Sequence, residues 1–195
     1  RSKDSIQNRI NVHKQKIADI ENCESFLNSL IFEEIEDNNK LDSIIELKEE
    51  IYEYVCTRKN HTKFRSNKIN EKSLNIKEIQ TPNGLKIQIG GNHRQNEFIS
   101  LKKGKKGDLW FHAQENPGSH VVLKSSNGLK DDHDIQLAAD LASLFSRARA
   151  NKQVPIIMVP IENLQRISGS LPGTVAHRGG KIIWGQAERA EKYFH

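Results

Sequence analysis

The chain has 195 residues, 35% of them hydrophobic and 28% charged, enough for one globular domain with a smaller exposed appendage. Its two lone cysteines, Cys23 and Cys56, exclude a disulfide framework and a C-x-x-C motif, and the chain shows neither a signal peptide nor a long apolar run; both point to a cytoplasmic protein with no membrane partner. The net charge of +5 is unevenly divided, with 7 Lys/Arg against 13 Asp/Glu in residues 1–57, 13 against 3 in 58–107 and 10 against 9 in 108–195, so the basic middle reads equally as a site for a polyanion, most often nucleic acid, and as a solvated linker kept soluble by its lysines.

The chain opens on Arg1 rather than Met and is read as a piece of a longer protein. From Ile6 to Glu36 there is neither Pro nor Gly. Apolar residues recur at Ile6, Ile10, Ile17, Ile20, Leu27 and Ile31 on a spacing that alternates between three and four, with His13 and Glu24 sitting where the stripe would continue, which predicts a helix with an imperfect coiled-coil seam. Asp37-Asn38-Asn39 breaks it, and a shorter second helix is expected from about Leu41 to Val55. The second helix is too short to cover the stripe of this helical arm, residues 1–57, so either its partner helix belongs to the rest of a longer protein or two copies pair. Residues 58–75 are polar and basic without clear period and read as a linker. From Ile76 the period becomes two, and Thr81-Pro82-Asn83-Gly84 predicts the turn of a hairpin. Asn92 followed by Gln95 predicts a capped short helix through Phe98 and Leu101, preceded by a Gly90-Gly91 turn that resembles a phosphate cradle. Lys102, Lys103, Lys105 and Lys106 then flank glycines in a mobile positive loop suited to a phosphate backbone.

The stretch Asp108 to Leu123, DLWFHAQENPGSHVVL, places two short apolar runs around the Asn116-Pro117-Gly118 break and predicts two strands joined by a turn. Alternation puts Phe111 in the core and Trp110 on the opposite face. Asp131 or Asp132 should cap a helix running to about Ala150, with Arg147 and Arg149 in its last turn, favourable to the helix dipole. Val154 to Val159 reads as a central strand buried on both faces. Thr174 to His177 and Lys181 to Trp184 should form a closing hairpin turned by Arg178-Gly179-Gly180, and Gln186 to Tyr193 a short helix. Strands alternating with helices give an α/β (α+β) class, a mixed sheet flanked by helices in residues 76–195, preceded by the helical arm.

Several chemistries fit the polar cluster. His112 and His120 with Asp108 would be a metal site, but their spacing matches no metal motif, and no metal is expected. Asp108, His112, Ser119 and His120 would serve a hydrolase or nuclease, although no nucleophile elbow surrounds Ser119. Dinucleotide and P-loop patterns are absent, so no cofactor is expected. Trp110 and Trp184 suit base stacking.

Asp108, Trp110, His112, Pro117, Gly118, Ser119 and His120 together resemble the D-x-W-x-H…P-G-S-H signature of the NFACT-R domain, the RNA-binding module of the ribosome-associated quality-control factors whose bacterial members carry the old label fibronectin-binding protein A. Gly90, Asn92, Gln95 and Asn96 match the family's G-R-N-x-x-Q-N; Ala138-Ala139 and Pro172-Gly173 fall where the family has the same pairs. The similarity spans about Ile76 to Ala187, and residues 1–57 are similar to the descending half of the family's coiled-coil arm. Gly91 and Leu171 depart from it, standing where the family has Arg and Lys. The resemblance implies a binding module with no active site of its own. Its partners would be transfer RNA and a large ribosomal subunit carrying a stalled nascent chain, which the factor extends without a template. It also implies an RNA-binding set of Asn92, Arg94, Gln95, Asn96, Lys102, Lys103, Lys105, Lys106, Asp108, Trp110, His112, Ser119, His120, Arg147 and Arg149. A fibronectin-binding surface adhesin is the alternative outside the ribosome.

Overall fold

The computed structural model describes residues 2–32, 44–49, 74–167 and 172–193. Helix α1 spans Ser2–Phe32, a stretch without Pro or Gly. Its stripe residues Ile6, Ile10, Ile17, Ile20 and Leu27 are all exposed, so the seam is uncovered among the described residues. Residues 44–49 are helical, and their Leu47 packs with Cys23 and Phe26 of α1 in a small buried cluster. The rest of the expected second helix and all but the last two residues of the linker lie outside the described residues.

Strands β1 (Lys77–Gln80) and β2 (Lys86–Ile89) form the expected hairpin, closed by Thr81, whose N–H donates to the Leu85 carbonyl at 2.7 Å and whose hydroxyl accepts from the Leu85 N–H at 3.1 Å. Helix α2 (His93–Glu97) follows, capped by Asn92, and widens into a π-turn over Phe98–Lys102. Strands β3 (Leu109–Ala113) and β4 (Val121–Leu123) come next, then α3 (Asp132–Leu144) and β5 (Val154–Pro160). The chain closes with β6 (Leu164–Arg166), β7 (Val175–His177), β8 (Lys181–Gly185) and α4 (Ala187–Glu191). Six strands form one sheet in the order β1-β2-β4-β3-β5-β8. The α/β class holds, and every pairing within the sheet is antiparallel rather than mixed.

Period-two alternation splits β3 between two cores. Leu109, Phe111 and Ala113 face α3, where Leu137, Ala138, Leu141 and Ala142 lie close on the sheet beside Val121, Leu123 and Ile156. Trp110 faces the other way and packs with Val122, Val159, Phe98 and Ile99. A reciprocal capping box fixes the start of α3: Asp131 accepts from the Asp134 N–H at 2.9 Å, and Asp134 accepts from the Asp131 N–H at 3.2 Å.

Three sequence expectations change. Helix α3 stops at Leu144, not near Ala150, because the chain beyond it pairs with the β3–β4 turn. The Ser119 N–H donates to the Phe145 carbonyl at 2.9 Å, and the Arg147 N–H donates to the Pro117 carbonyl at 2.9 Å. Arg147 and Arg149 therefore lie past the helix rather than in its last turn. Strand β5 lies between β3 and β8 but is only partly buried on both faces: Val154, Ile156 and Val159 are buried, whereas Pro155, Ile157, Met158 and Pro160 are half-buried. The closing hairpin does not form. Strand β7 pairs with β6 in a separate ladder, while β8 joins β5 at the sheet edge. Gly180, at φ 124°, redirects the chain there, and a Cβ on it would come 3.0 Å from the Met158 carbonyl oxygen.

Candidate nucleic-acid interface

Asp108 opens the signature stretch, yet it points inward. Its side chain is fully buried, paired with Lys124 and hydrogen-bonded by the Ser126 hydroxyl at 2.6 Å, the Ser126 N–H at 3.0 Å and the Lys105 N–H at 2.9 Å. Burial alone would raise the carboxyl pKa; the bonds from Lys124, Ser126 and the Lys105 backbone outweigh it and hold the group below its ordinary value. Lys124 also donates to the Lys103 carbonyl at 3.1 Å, and the Ser125 hydroxyl donates to the Gly107 carbonyl at 2.6 Å. The loop expected to be mobile is thus pinned along its backbone. The side chains of Lys102, Lys103, Lys105 and Lys106 all remain exposed.

Trp110, His112 and His120 converge, as the sequence suggested, on the side of the sheet away from α3. The Trp110 and His112 rings are nearly parallel, 8° and 5.6 Å apart, and His120 stands edge-on to both at 5.0 and 5.3 Å. His120 is fixed from two sides: Ser100 Oγ lies 2.8 Å from its Nδ1, and its N–H donates to Asn96 Oδ1 at 2.9 Å. Burial pushes the His112 imidazolium down to about 4, against hydrogen bonds with the Gly118 and Ala113 backbone. His120 is lowered well below its ordinary value by burial and by its neighbours His112 and His93. Both rings are neutral at pH 7. Ser119 Oγ is buried without a hydrogen-bond partner, and Asp108 is committed to Lys124, so the residues of the hydrolase reading form no nucleophile–base–carboxylate chain.

The remaining expected contacts face the arm. Asn92 Nδ2 and Gln95 Nε2 both donate to the Glu46 carboxylate, at 2.7 and 2.9 Å, and Arg94 lies 3.7 Å from Glu49. Arg147 pairs with Glu21 at 2.7 Å, Arg149 donates to the Asn28 carbonyl at 3.2 Å, and Phe26 meets His93 edge-on at 5.5 Å. The Gly90-Gly91 turn offers no cradle for phosphate: the Gly90 N–H donates to the His120 carbonyl at 3.0 Å and the Gly91 N–H to Gln95 Oε1 at 2.8 Å. Sequence reasoning missed Lys124 and Ser126, the partners of Asp108, and His177, whose ring lies 6.2 Å from Trp110. A lysine directly after the apolar run of β4 was the one available signal.

Residues 76–179 match the family described as NFACT protein RNA binding domain, and the chain belongs to that family. Among curated relatives it is 31% identical over 178 residues to the Rqc2 homolog RqcH of Streptococcus suis, covering 91% of this chain and 30% of that protein. It is 34% identical over 102 residues to the Rqc2 homolog RqcH of Bacillus subtilis, covering 52% of this chain and 18% of that protein. The chain therefore spans less than a third of these relatives' length. A solved structure of the C-terminal part of the fibronectin/fibrinogen-binding protein from Streptococcus suis has a TM-score of 0.78 at 30% identity, covering 98% of this chain and 72% of that one. These likenesses agree with the signature read from Asp108 to His120.

Proposed function

We propose that this chain is the RNA-binding part of a ribosome quality-control factor. It helps hold transfer RNA while the whole protein engages a large ribosomal subunit with a stalled nascent chain, which is then extended without a template. Peptide transfer belongs to the ribosome; this chain supplies binding and has no active site of its own. The observation that carries the reading is the pinned loop with four exposed lysines. A fixed backbone with outward cations follows a phosphate chain at low conformational cost.

The test is a salt titration of transfer-RNA binding. Each phosphate contact contributes about 0.7–0.9 to the slope of log affinity against log salt, so replacing Lys102, Lys103, Lys105 and Lys106 by Ala should flatten that slope by up to roughly 3 units. The loss should be similar for unrelated RNA. A parent-like slope in the four-lysine variant would rule the loop out as the phosphate contact.

A further inference from the structure

Beneath the β3–β4 turn lies a cavity of about 530 Å³. Trp110, His112, His120 and His177 line it: Trp110 and His120 are buried at its floor, and the more accessible rings of His112 and His177 offer surface for one flat ring system. Its charge decides what it takes. Among the described residues no Lys or Arg lines it; of its two carboxylates Glu21 is paired with Arg147 at 2.7 Å, which leaves Glu115 as the unpaired charge it presents. The half-buried His112 and the buried His120 are neutral at pH 7 and add no positive charge. A phosphate would face the Glu115 carboxylate there, and Arg147, the cation beside the lining, is already committed to Glu21 and Glu24. A neutral heteroaromatic ring would meet stacking surfaces, imidazole hydrogen-bonding groups and a carboxylate acceptor.

Glu115 carries a second mark. It is the one non-glycine residue with positive φ among the described residues, at 55°. The left-handed region is costly for a side chain of this kind, and such strain tends to sit at ligand clamps. It holds an exposed carboxylate at the cavity mouth, in a turn that Asn116 closes by donating from Nδ2 to the Gln114 carbonyl at 2.9 Å. Carboxylates read nucleobases by accepting from an exocyclic amine.

We propose that this cavity receives one unpaired nucleobase of a bound RNA, its ring against His112 and His177 and its exocyclic amine donating to Glu115, with the phosphates outside. The inference rests on the RNA-binding reading and adds a base preference to it. Adenine, cytosine and guanine carry the amine; uracil does not.

The test uses the 195-residue chain and one fluorescent RNA hairpin carrying a four-nucleotide unpaired tail of A, C, G or U, with affinity read by anisotropy at fixed low salt. The A, C and G tails should bind about ten-fold more tightly than the U tail. Glu115→Gly removes the carboxylate and suits the positive φ, so the fold is kept; the A, C and G tails should fall to the U-tail affinity while the salt slope stays. His112→Ala should weaken the A, C and G tails. Equal affinity for all four tails with salt-dependent binding would overturn the base pocket and leave RNA binding intact. A base preference that survives in Glu115→Gly would equally remove Glu115 as its reader. No binding of any tail would remove the RNA-binding reading, and the pocket with it.

Discussion

Lys124→Met tests whether the Asp108–Lys124 pair organises the lysine loop. The side chains are 0% exposed for Asp108 and 8% for Lys124, so methionine keeps the aliphatic volume and leaves a buried carboxylate without its counter-charge. Removing one partner of a buried pair typically costs about 3–5 kcal/mol. Asp108 keeps the Ser126 hydroxyl and the N–H groups of Lys105 and Ser126, which places the expected loss at the lower end, about 3 kcal/mol. Adding Asp108→Asn removes the stranded charge and should recover roughly 1–2 kcal/mol of that loss. Urea unfolding followed by far-ultraviolet circular dichroism reads both effects. With an m-value of about 1–3 kcal/mol/M, the midpoint should drop by roughly 1–3 M in the single variant and by less in the double. A single variant within about 1 kcal/mol of the parent, or a double variant as unstable as the sum of the two singles, would refute the reasoning.

Gly90→Ala places a Cβ 2.2 Å from Asn96 Oδ1 and 2.9 Å from the Asn96 backbone nitrogen, so Asn96 must shift off the His120 N–H; a loss of about 1–3 kcal/mol in thermal or urea unfolding is expected. The His112 pKa is about 4 folded against 6.5 unfolded, so its stabilising contribution is fully present above pH 6.5 and is lost as pH falls toward 4. The full shift corresponds to roughly 3 kcal/mol, and the ring's residual solvent contact reduces it to about 2, so the parent should lose about that much more stability than His112→Gln between pH 7 and 4.5. The exposed stripe of α1 should draw copies together: sedimentation across a concentration series should show self-association that Ile17→Glu reduces, and a strict monomer at high concentration would count against it.

Local rules carried far into this fold. The Thr81-Pro82-Asn83-Gly84 turn, the Asn92 and Asp131 caps and the opposed directions of Trp110 and Phe111 all follow from backbone geometry and period, and all are present. The misreadings lie where distant chain segments compete for the same groups. Nothing near Leu144 says that the next carbonyl belongs to Ser119, so the helix looked longer than it is. Strands β7 and β8 have hairpin spacing, but β6 and β5 take their backbone groups. At the candidate site the limit is chemical. Amides such as Asn92 and Gln95 suit a phosphate and a glutamate equally well, and here they hold Glu46, 46 and 49 residues away. Asp108 stood out for its place in a polar cluster, and composition could not tell a ligand contact from the anchor of a loop.

The grip of α2 on Glu46 has a mechanical consequence. The helix whose Asn92 and Gln95 hold the arm also carries Asn96, which holds His120 at the floor of the aromatic cavity. From Glu21, braced by Arg147, α1 projects back to Ser2 over about 28 Å. It is a lever whose fulcrum is bolted to the pocket. A tilt of about 10° sweeps its far end through about 5 Å, given the rise of a helix, while groups beside the fulcrum move by a fraction of an ångström. Asn92 and Gln95, which hold Glu46, and Asn96, which holds the His120 N–H, thus lie within five residues of one another beside that fulcrum.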